Sequence, residues 1–206
     1  MPTRRIGLFG GSFDPPHLAH RALGRLAMQQ LQLDELRWLP AGAPWQKAGR
    51  QMASGGHRAA MLAALLQGEP GQVIDTRELQ RSGPTYTIDT VRGLQAEEPG
   101  AHWFFILGQD QYGRFDTWRS WPELLQRLTL AVADRAGQVP TPPPALAAVP
   151  HRVVALPLPR QDVSASDIRR QLAAGVPPAQ LAPLVGAAVA SYIDHHQPYP
   201  QGDDQG

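Results

Sequence analysis

Short apolar runs alternate with longer amphipathic stretches along this chain, which is typical of strands alternating with helices. Residues 6–9 form the first apolar run, closed by Gly10 and Gly11, and predict a buried strand that ends in a tight turn. From residue 18 to residue 33 apolar side chains recur every three or four positions, which predicts an amphipathic helix. Residues 36–40 predict a second strand, and a right-handed crossover would place it parallel to the first.

The same alternation continues through the rest of the chain. Further strands are predicted at residues 72–75, 103–107, 128–133 and 152–156, and helices at residues 58–66 and 88–96. Strands that alternate with helices indicate an α/β fold built on a doubly wound parallel sheet. Two more helices, at residues 165–173 and 183–195, predict a small helical segment in the C-terminal third.

Three stretches are predicted to lack regular structure. Residues 41–56 are rich in Gly, Ala and polar residues, and loops of this length are often functional. Residues 139–144 are predicted to form a surface loop, because successive prolines lack amide donors and hold the backbone extended. The polar tail, residues 201–206, is predicted to fray. For 206 residues we expect one domain over residues 1–200, and therefore one active site.

Composition restricts the classes of partner. The 19 Lys and Arg residues nearly balance 18 Asp and Glu residues, so a net charge of +1 offers no broad field for nucleic acid or an anionic membrane. The chain has no Cys, which excludes disulfides, thiolate nucleophiles and Cys-ligated zinc. The run at residues 6–9 is too short for a signal peptide or a membrane span. We therefore expect a cytoplasmic protein, monomeric or homo-oligomeric, that binds neither nucleic acid nor membrane.

The strongest chemical signal is the segment of residues 10–20, Gly-Gly-Ser-Phe-Asp-Pro-Pro-His-Leu-Ala-His. It joins the end of a predicted parallel strand to the start of a helix, where free amides and the helix dipole favour an anion. His17 and His20 are three residues apart, so both rings can project from one helix face toward the same phosphate. The alternative is that His17 is a helix cap and His20 a surface residue.

This segment resembles the H-x-x-H signature of the nucleotidyltransferase superfamily, whose members attack the α-phosphate of ATP. The resemblance implies a Rossmann-like nucleotidyltransferase fold, with Mg²⁺ accompanying ATP and no metal site built from protein side chains alone. It also implies that His17 and His20 contact the reacting phosphates. The phosphates would be cradled by Gly10, Gly11, Ser12 and Phe13. Ala19 stands where such families show glycine.

A second segment, residues 163–169 with the sequence Val-Ser-Ala-Ser-Asp-Ile-Arg, resembles the Ser-Ser-Thr-x-Ile-Arg type of motif of the same families. The resemblance implies that Ser164, Ser166 and Arg169 close over the triphosphate. A guanidinium suits that role because its planar fork binds phosphate oxygens. The alternative is ordinary helix capping by Ser164 or Ser166, with Arg169 on a solvated face.

The predicted acceptor is a pyridine nucleotide. Residues 78–90 resemble the E-L-x-R-x-G-x-S/T-Y-T-x-D-T stretch of nicotinate-nucleotide adenylyltransferases, in which amides matching Thr85 and Tyr86 bind the nicotinate carboxylate. The alternative is a Gly-Pro turn before a Thr-capped helix. Residues 106–110 and 115–118 resemble that family too, which implies that Asp110 binds ATP and that Trp118 stacks on the pyridine. Asp110 as a helix cap and Trp118 as core are the alternatives.

Residues 44–47, Pro-Trp-Gln-Lys, lie where that family has Pro-x-His-Lys. The resemblance therefore implies that Lys47 binds a substrate phosphate, although Gln46 replaces the usual histidine. Arg58 is expected to be solvent-exposed and to have no role. The implied reaction joins ATP and nicotinate mononucleotide into deamido-NAD and pyrophosphate. Two hypotheses stay open at this point. One is another phosphorylated acceptor, such as nicotinamide mononucleotide or phosphopantetheine, and the other is a nucleotide-binding regulator without turnover.

Overall fold

The elements below come from a computed structural model, which describes residues 3–44, 52–135, 139–159 and 161–199. The strands are β1 (Arg5–Gly11), β2 (Glu35–Pro40), β3 (Ala43–Pro44), β4 (Gln72–Ile74), β5 (Pro84–Thr85), β6 (His102–Gly108), β7 (Thr129–Arg135) and β8 (Arg152–Leu158). The helices are α1 (Leu18–Gln30), α2 (Gly55–Leu65), α3 (Thr87–Glu97), α4 (Gln109–Tyr112), α5 (Trp121–Arg127), α6 (Pro144–Ala147), α7 (Ala165–Ala173), α8 (Ala182–Val185) and α9 (Ala187–His196). Short 3-10 helices lie at Phe115–Thr117 and Pro178–Leu181.

Six of these strands form one sheet in the order β4-β2-β1-β6-β7-β8, and every neighbouring pair is parallel. Successive residues of β1 alternate between its two faces. Leu8 packs into a cluster with Val91 of α3 and Leu124 of α5, whereas Phe9 packs into a second cluster with Leu23 of α1. Helices therefore cover both faces, which confirms the predicted doubly wound α/β sheet.

The C-terminal helices form a third apolar cluster against α2. Met61 and Leu65 of α2 pack there with Ile168 of α7 and Val189 of α9. The predicted C-terminal helical segment is confirmed, but the predicted helix at residues 183–195 is wrong as one element. It is divided into α8 and α9 by Gly186, whose φ of 89° lies outside the helical region and suits glycine.

Other differences from the predictions have local causes. Gly10 and Gly11 pair with β2 as the last residues of β1, so the turn follows them. The first helix ends at Gln30, before the predicted residue 33, because Gln32 adopts a left-handed φ of 47°. The predicted proline-rich loop ends at Pro143, since Pro144 begins α6 at the position where a helix tolerates proline. The two-residue strands β3 and β5 pair with each other and are too short to show any periodicity.

The tail at residues 201–206 lies outside the described residues, so its fraying stays a prediction. No helix in the described ranges has the length and apolar character needed to cross a bilayer.

Candidate active site

The sheet order places the candidate site at the carboxyl ends of β1 and β6. From β1 the sheet continues through β2 to β4, and from β6 it continues in the opposite direction to β7 and β8. Strand order therefore reverses between these two neighbours, and in open α/β sheets ligands bind in the crevice at such a switch point. Here β1 ends with Gly10 and Gly11, while β6 ends with Gly108.

The chain turns sharply after β1, over residues 12–17. Phe13 has a left-handed backbone with φ 49°, and its buried ring lies edge-on to that of Phe9 with the centroids 5.5 Å apart. A Cβ at Gly11 would lie 2.9 Å from Cζ of Phe13, so a side chain at position 11 would displace this ring. Phe13, which the sequence predicts in the phosphate cradle, therefore has its side chain in the core and offers a phosphate only its backbone.

His17 and His20 lie side by side at the start of α1. The backbone N–H of His17 donates to Nδ1 of His20 over 3.1 Å, and the two rings stack with their centroids 3.7 Å apart. They share one face, as the three-residue spacing predicts, and His17 is also the N-cap residue of the helix. Because Nδ1 of His20 accepts a hydrogen bond, the neutral ring carries its proton on Nε2.

His17 is buried, with 7 % of its surface exposed. Burial lowers the pKa of this histidine from 6.5 to about 4, so its ring is neutral at neutral pH. Its Nδ1 atom has no hydrogen-bond partner among the described residues. Buried polar atoms in proteins are nearly always hydrogen-bonded, and an unpaired one beside a cavity indicates a place where a ligand can complete the bond.

This burial of His17 predicts how stability depends on pH. An unfolded His17 binds a proton below about pH 6.5, whereas the folded one does so only near pH 4, so between these values the unfolded state binds more protons. Stability therefore falls as the pH drops through this window. From about pH 7 to pH 4, the native chain should lose roughly 3 kcal/mol of unfolding free energy relative to His17→Asn, whose side chain caps helices but does not titrate. Urea denaturation of both proteins measures the difference, and parallel pH profiles would contradict the prediction.

Asp14 lies in a buried cluster that joins the turn after β1 to distant parts of the chain. Its surface is 3 % exposed, and Oδ1 accepts hydrogen bonds from the N–H of Ala53 (3.1 Å) and the hydroxyl of Tyr199 (2.9 Å). Its Oδ2 lies 3.6 Å from Nη1 of Arg169. Burial, together with the adjacent Asp14 carboxylate, raises the pKa of Tyr199, so its hydroxyl stays protonated and donates.

Arg58 belongs to the same cluster, and the expectation that it is solvent-exposed is wrong. It is 2 % exposed, and its guanidinium donates to the carbonyl oxygens of Ser12 (2.8 Å) and Ala53 (3.1 Å). The physical reason is its position on α2, where Arg58 shares the buried face with Met61 and Leu65 at three- and four-residue spacing. That spacing is visible in the sequence and is the signal that could have found it.

The second predicted phosphate-binding segment, residues 163–169, lies against the turn after β1. The Oγ of Ser164 accepts the N–H of Asp167 over 3.1 Å and caps α7, as the capping alternative holds. Arg169 does not lie on a solvated face, because its side chain is 17 % exposed and its guanidinium donates to the carbonyl oxygen of Asp14. A further bond of 3.2 Å joins Arg169 to the hydroxyl of Ser166. The structure thus brings Arg169 to the first motif, 155 positions away.

The predicted acceptor segment lies beside the carboxyl end of the sheet. Thr85 is buried in β5, and Tyr86 precedes α3 as its N-cap residue without a side-chain capping bond, so the alternative of a Thr-capped helix is wrong. The first amides of α3 have no acceptor within the helix. Glu78, from the same motif, is 8 % exposed and accepts a 2.7 Å hydrogen bond from the hydroxyl of Thr90. Burial raises the pKa of Glu78 in spite of this bond.

Trp118 and Asp110 follow β6 in sequence. The ring of Trp118 stacks on Phe115 with centroids 5.0 Å apart and meets Phe105 edge-on, so it packs against the core as the structural alternative predicts. Its Nε1 is buried without a hydrogen-bond partner among the described residues. Because Phe115 covers one face, a ligand ring has only the opposite face to stack on. Asp110 is exposed in the first turn of α4.

Two cavities adjoin at this end of the sheet. The first has a volume of about 380 Å³ and is lined by both the phosphate turn and the acceptor segments. Its lining includes Gly10, Gly11, Ser12, Thr85, Tyr86 and Trp118. The second has a volume of about 730 Å³, and its lining includes His17, Ala19 and Asp110. His20, Leu23 and Gly108 line both cavities.

The structure therefore gathers most of the predicted site residues around one pair of cavities. Ala19, which lies between the two histidines in the chain, lines the second cavity. Val163 lines that cavity, and Ser164 follows it directly in the chain. Lys47 and Gln46 lie outside the described residues, so the predicted phosphate contact of Lys47 stays a prediction.

One family model and several known proteins match this chain over most of its length. The model of the cytidylyltransferase-like family matches residues 8–171. A probable nicotinate-nucleotide adenylyltransferase from Methylibium petroleiphilum is 54% identical over 96% of this chain and 93% of its own length. A second one, from Bordetella petrii, is 48% identical over 95% of this chain and 99% of its own length. Both alignments extend over nearly the whole chain.

Solved structures share the fold. A nicotinic acid mononucleotide adenylyltransferase from Plasmodium falciparum, solved in complex with NaAD, superposes with a TM-score of 0.77 and covers 95% of this chain and 97% of its own. A putative nicotinate-nucleotide adenylyltransferase from Vibrio parahaemolyticus gives 0.67 and covers 96% of each chain. Their identities to this chain are 17% and 18%, so this likeness establishes the arrangement of the sheet and helices.

Proposed function

This chain belongs to the nicotinate-nucleotide adenylyltransferase family, and we propose that it transfers the adenylyl group of ATP to nicotinate mononucleotide, giving deamido-NAD and pyrophosphate. The observation that carries this proposal is the pair of adjoining cavities that meet at His20. A reaction between two nucleotides needs both of them bound at once, with the reacting atoms in contact and aligned. Two cavities that share His20, Leu23 and Gly108 supply that arrangement.

The wall of each cavity suits one substrate. Nicotinate mononucleotide occupies the first cavity, where an open face of Trp118 suits a flat pyridine ring and the amides of Thr85 and Tyr86 suit its carboxylate. ATP occupies the second cavity, beside the histidine pair and Asp110. Its α-phosphate then lies at the shared wall, next to the end of β1. Gly10, Gly11, Ser12 and the backbone of Phe13 cradle the phosphates from the turn.

The reaction is a single in-line displacement at phosphorus. A phosphate oxygen of nicotinate mononucleotide forms a bond to the α-phosphorus of ATP, and the bond from that phosphorus to the oxygen bridging the α- and β-phosphates breaks. The electron pair of the broken bond leaves with pyrophosphate. No proton has to be removed from the attacking oxygen, since it is already anionic. The enzyme therefore acts by positioning the substrates and by stabilising charge on the phosphates.

The two histidines supply hydrogen bonds to that charge. The neutral ring of His20 carries its proton on Nε2, because Nδ1 accepts the N–H of His17, so Nε2 is a donor. His17 lines the second cavity and has an unpaired buried Nδ1. A neutral imidazole donates through one nitrogen only, so bound phosphate determines which nitrogen of His17 carries the proton. These donors gain strength because the site is partly shielded from water.

Arg169 binds and stabilises the departing pyrophosphate, together with Ser164 and Ser166 at the start of α7. Its guanidinium lies against the carbonyl oxygen of Asp14, at the turn that also carries the phosphate cradle. That position supports a role at the triphosphate, because a guanidinium already held near the turn needs only a side-chain rotation to reach phosphate oxygens. Lys47 remains the predicted partner of the substrate phosphate.

Magnesium enters the proposal as part of the ATP complex. In the described ranges no group of three or more His, Asp or Glu side chains could hold a metal ion. Mg²⁺ commonly binds through substrate phosphates, waters and one or two carboxylates. Asp110 in the wall of the second cavity is a carboxylate that such an ion could use. Bound there, Mg²⁺ would neutralise part of the charge of the triphosphate.

Incubating the purified protein with Mg-ATP and one acceptor at a time tests the activity. We expect nicotinate mononucleotide to give deamido-NAD and pyrophosphate in equal amounts, and faster than nicotinamide mononucleotide or phosphopantetheine, because the amide donors near Tyr86 suit a carboxylate. Mass spectrometry identifies the product and a coupled assay follows pyrophosphate. A faster reaction with another acceptor would overturn the assignment of the first cavity. Binding of ATP without turnover of any acceptor would replace the enzyme with a nucleotide sensor.

Some properties of the whole molecule stay predictions. The cytoplasmic location agrees with a chain that has no Cys and with an ATP-dependent activity. A lack of nucleic-acid and membrane binding agrees with the net charge of +1. We propose one catalytic domain over residues 1–200, and size-exclusion chromatography distinguishes a monomer from a homo-oligomer.

A further inference from the structure

The first cavity has an unusual charge balance for a site that takes an anionic acceptor. Of its described lining residues, the charged ones are Glu78 and Arg119, and the rest are apolar, small or uncharged polar residues together with His20. The carboxyl group of Glu78 is buried and is held by the hydroxyl of Thr90. Glu78 adds no positive charge to this wall, so a charge-assisted bond to an anionic acceptor has to come from another residue of the wall.

Among the described residues that line this cavity, Arg119 is the one Arg or Lys. The carbon Cζ of its guanidinium lies 4.6 Å from the centroid of the Tyr86 ring, in cation–π geometry. This contact holds the guanidinium above the N-cap residue of α3, in a segment that lines the same cavity. Arg119 also follows Trp118 directly in the chain. Its charge is therefore fixed next to the proposed site of the pyridine ring.

The guanidinium of Arg119 has no carboxylate partner among the described residues. Two other arginines of this region, Arg92 and Arg127, both pair with Glu123, at 2.5 and 2.7 Å. An exposed arginine near acidic groups commonly forms such pairs, whereas Arg119 stacks on the ring of Tyr86 and lines the cavity. Five N–H groups in a planar fork match the geometry of a carboxylate.

The orientation of the acceptor determines which of its anions meets Arg119. Its phosphate has to reach the α-phosphorus of ATP, and therefore lies by the residues that the two cavities share, such as His20. The pyridine ring then lies by the other group of lining residues, which includes Tyr86, Trp118 and Arg119. The anion carried by that ring is its carboxylate, which nicotinamide mononucleotide replaces with an uncharged amide.

We propose that the guanidinium of Arg119 binds the pyridine carboxylate beside the amides of Thr85 and Tyr86, and thereby strengthens the preference for nicotinate over nicotinamide mononucleotide. This assignment rests on the proposed function and deepens it. Tyr86 serves in two ways, since its backbone lies at the start of α3 and its ring holds Arg119 in place.

Steady-state kinetics of Arg119→Ala and Arg119→Lys at saturating Mg-ATP test this role. For nicotinate mononucleotide, Arg119→Ala should lower kcat/KM about tenfold, mainly through KM, the effect of losing a charged hydrogen bond at a partly exposed site. For nicotinamide mononucleotide, used as a substrate or as a competitive inhibitor, the change should stay below about twofold. Arg119→Lys should recover part of the loss, since it restores the charge without the fork. Arg92→Ala removes a paired arginine from α3 and is the matched control.

Each other outcome is decisive. An equal loss for both mononucleotides would place Arg119 at the phosphate and overturn the proposal, and so would unchanged kinetics for both. If the native chain forms no deamido-NAD at all, the proposed function fails instead. In that case the binding of the two mononucleotides, measured by titration calorimetry on the native chain and Arg119→Ala, tests carboxylate recognition by itself. Equal affinities of the native chain for both would then overturn the role of Arg119.

Discussion

Replacing His20 with alanine should lower kcat for deamido-NAD formation by a factor of about 10²–10³, the usual effect of removing one hydrogen-bond donor aimed at developing charge. His20 lines both cavities, so it is the side chain best placed to contact the phosphorus that exchanges one oxygen for another. The KM for ATP should change much less than kcat, because the donor acts mainly on charge that appears during the transfer. Rapid-quench measurement of a single turnover separates this chemical step from product release.

Two further variants make the interpretation specific. His20→Asn retains a side-chain acceptor for the N–H of His17, so it should preserve the helix start while losing the imidazole donor. His195→Ala removes an exposed histidine that bonds within its own helix, to the carbonyl oxygen of Ser191, and should leave the rate unchanged. If His20→Ala retained more than about a third of the native kcat while remaining folded, the donor role would be wrong, since a lost transition-state hydrogen bond costs far more.

The sheet and its helices could be predicted because their signal is local. Buried parallel strands appear as short apolar runs, and helices appear as repeats of three and four residues, so every strand of the six-stranded sheet was found within a few residues of its ends. The errors concern backbone conformations that a few residues decide. Gly186 divides the last predicted helix with a positive φ, and Gln32 ends the first one. Neither a glycine nor a glutamine at such a position is enough by itself to predict where a helix ends.

The grouping of the candidate site residues could be predicted where they form continuous motifs. Thr85 and Tyr86 come from one such stretch, and His17 and His20 from another. The contacts of two residues that bond to distant parts of the chain, Arg58 and Tyr199, were missed. Arg58 was recoverable, because its spacing from Met61 places it on the buried helix face. Tyr199 was not, since it bonds to Asp14 across 185 positions and lies next to a polar tail that resembles no motif.

Substituting Asp14 with alanine should destabilise the protein by about 3–5 kcal/mol, the usual effect of removing one partner of a buried charge cluster. Its carboxylate lies 3.6 Å from the guanidinium of Arg169 and interacts electrostatically with the buried Arg58. It also accepts the N–H of Ala53 and the hydroxyl of Tyr199. Alanine would leave the positive charge of Arg58 buried without its counter-charge. This loss is a large fraction of the stability of a typical domain. Urea denaturation followed by far-ultraviolet circular dichroism measures it.

A double-mutant cycle distinguishes the cluster from a general packing defect. Tyr199→Phe alone should cost about 1 kcal/mol, since it removes one hydrogen bond and leaves the ring in place. In the Asp14→Ala background the same change should cost nearly nothing, because the hydroxyl of Tyr199 has already lost its acceptor. Asp14→Asn, which keeps an acceptor oxygen but removes the charge, should fall between the native chain and alanine. Additive effects of the two substitutions, or a loss below about 1 kcal/mol for Asp14→Ala, would show that Asp14 is not the centre of the cluster.

Coupled effects would mean that the C-terminal end of the described chain stabilises the turn that cradles phosphate. In that case Tyr199→Phe, although remote in sequence from both histidines, should also raise the KM for ATP through the shared turn.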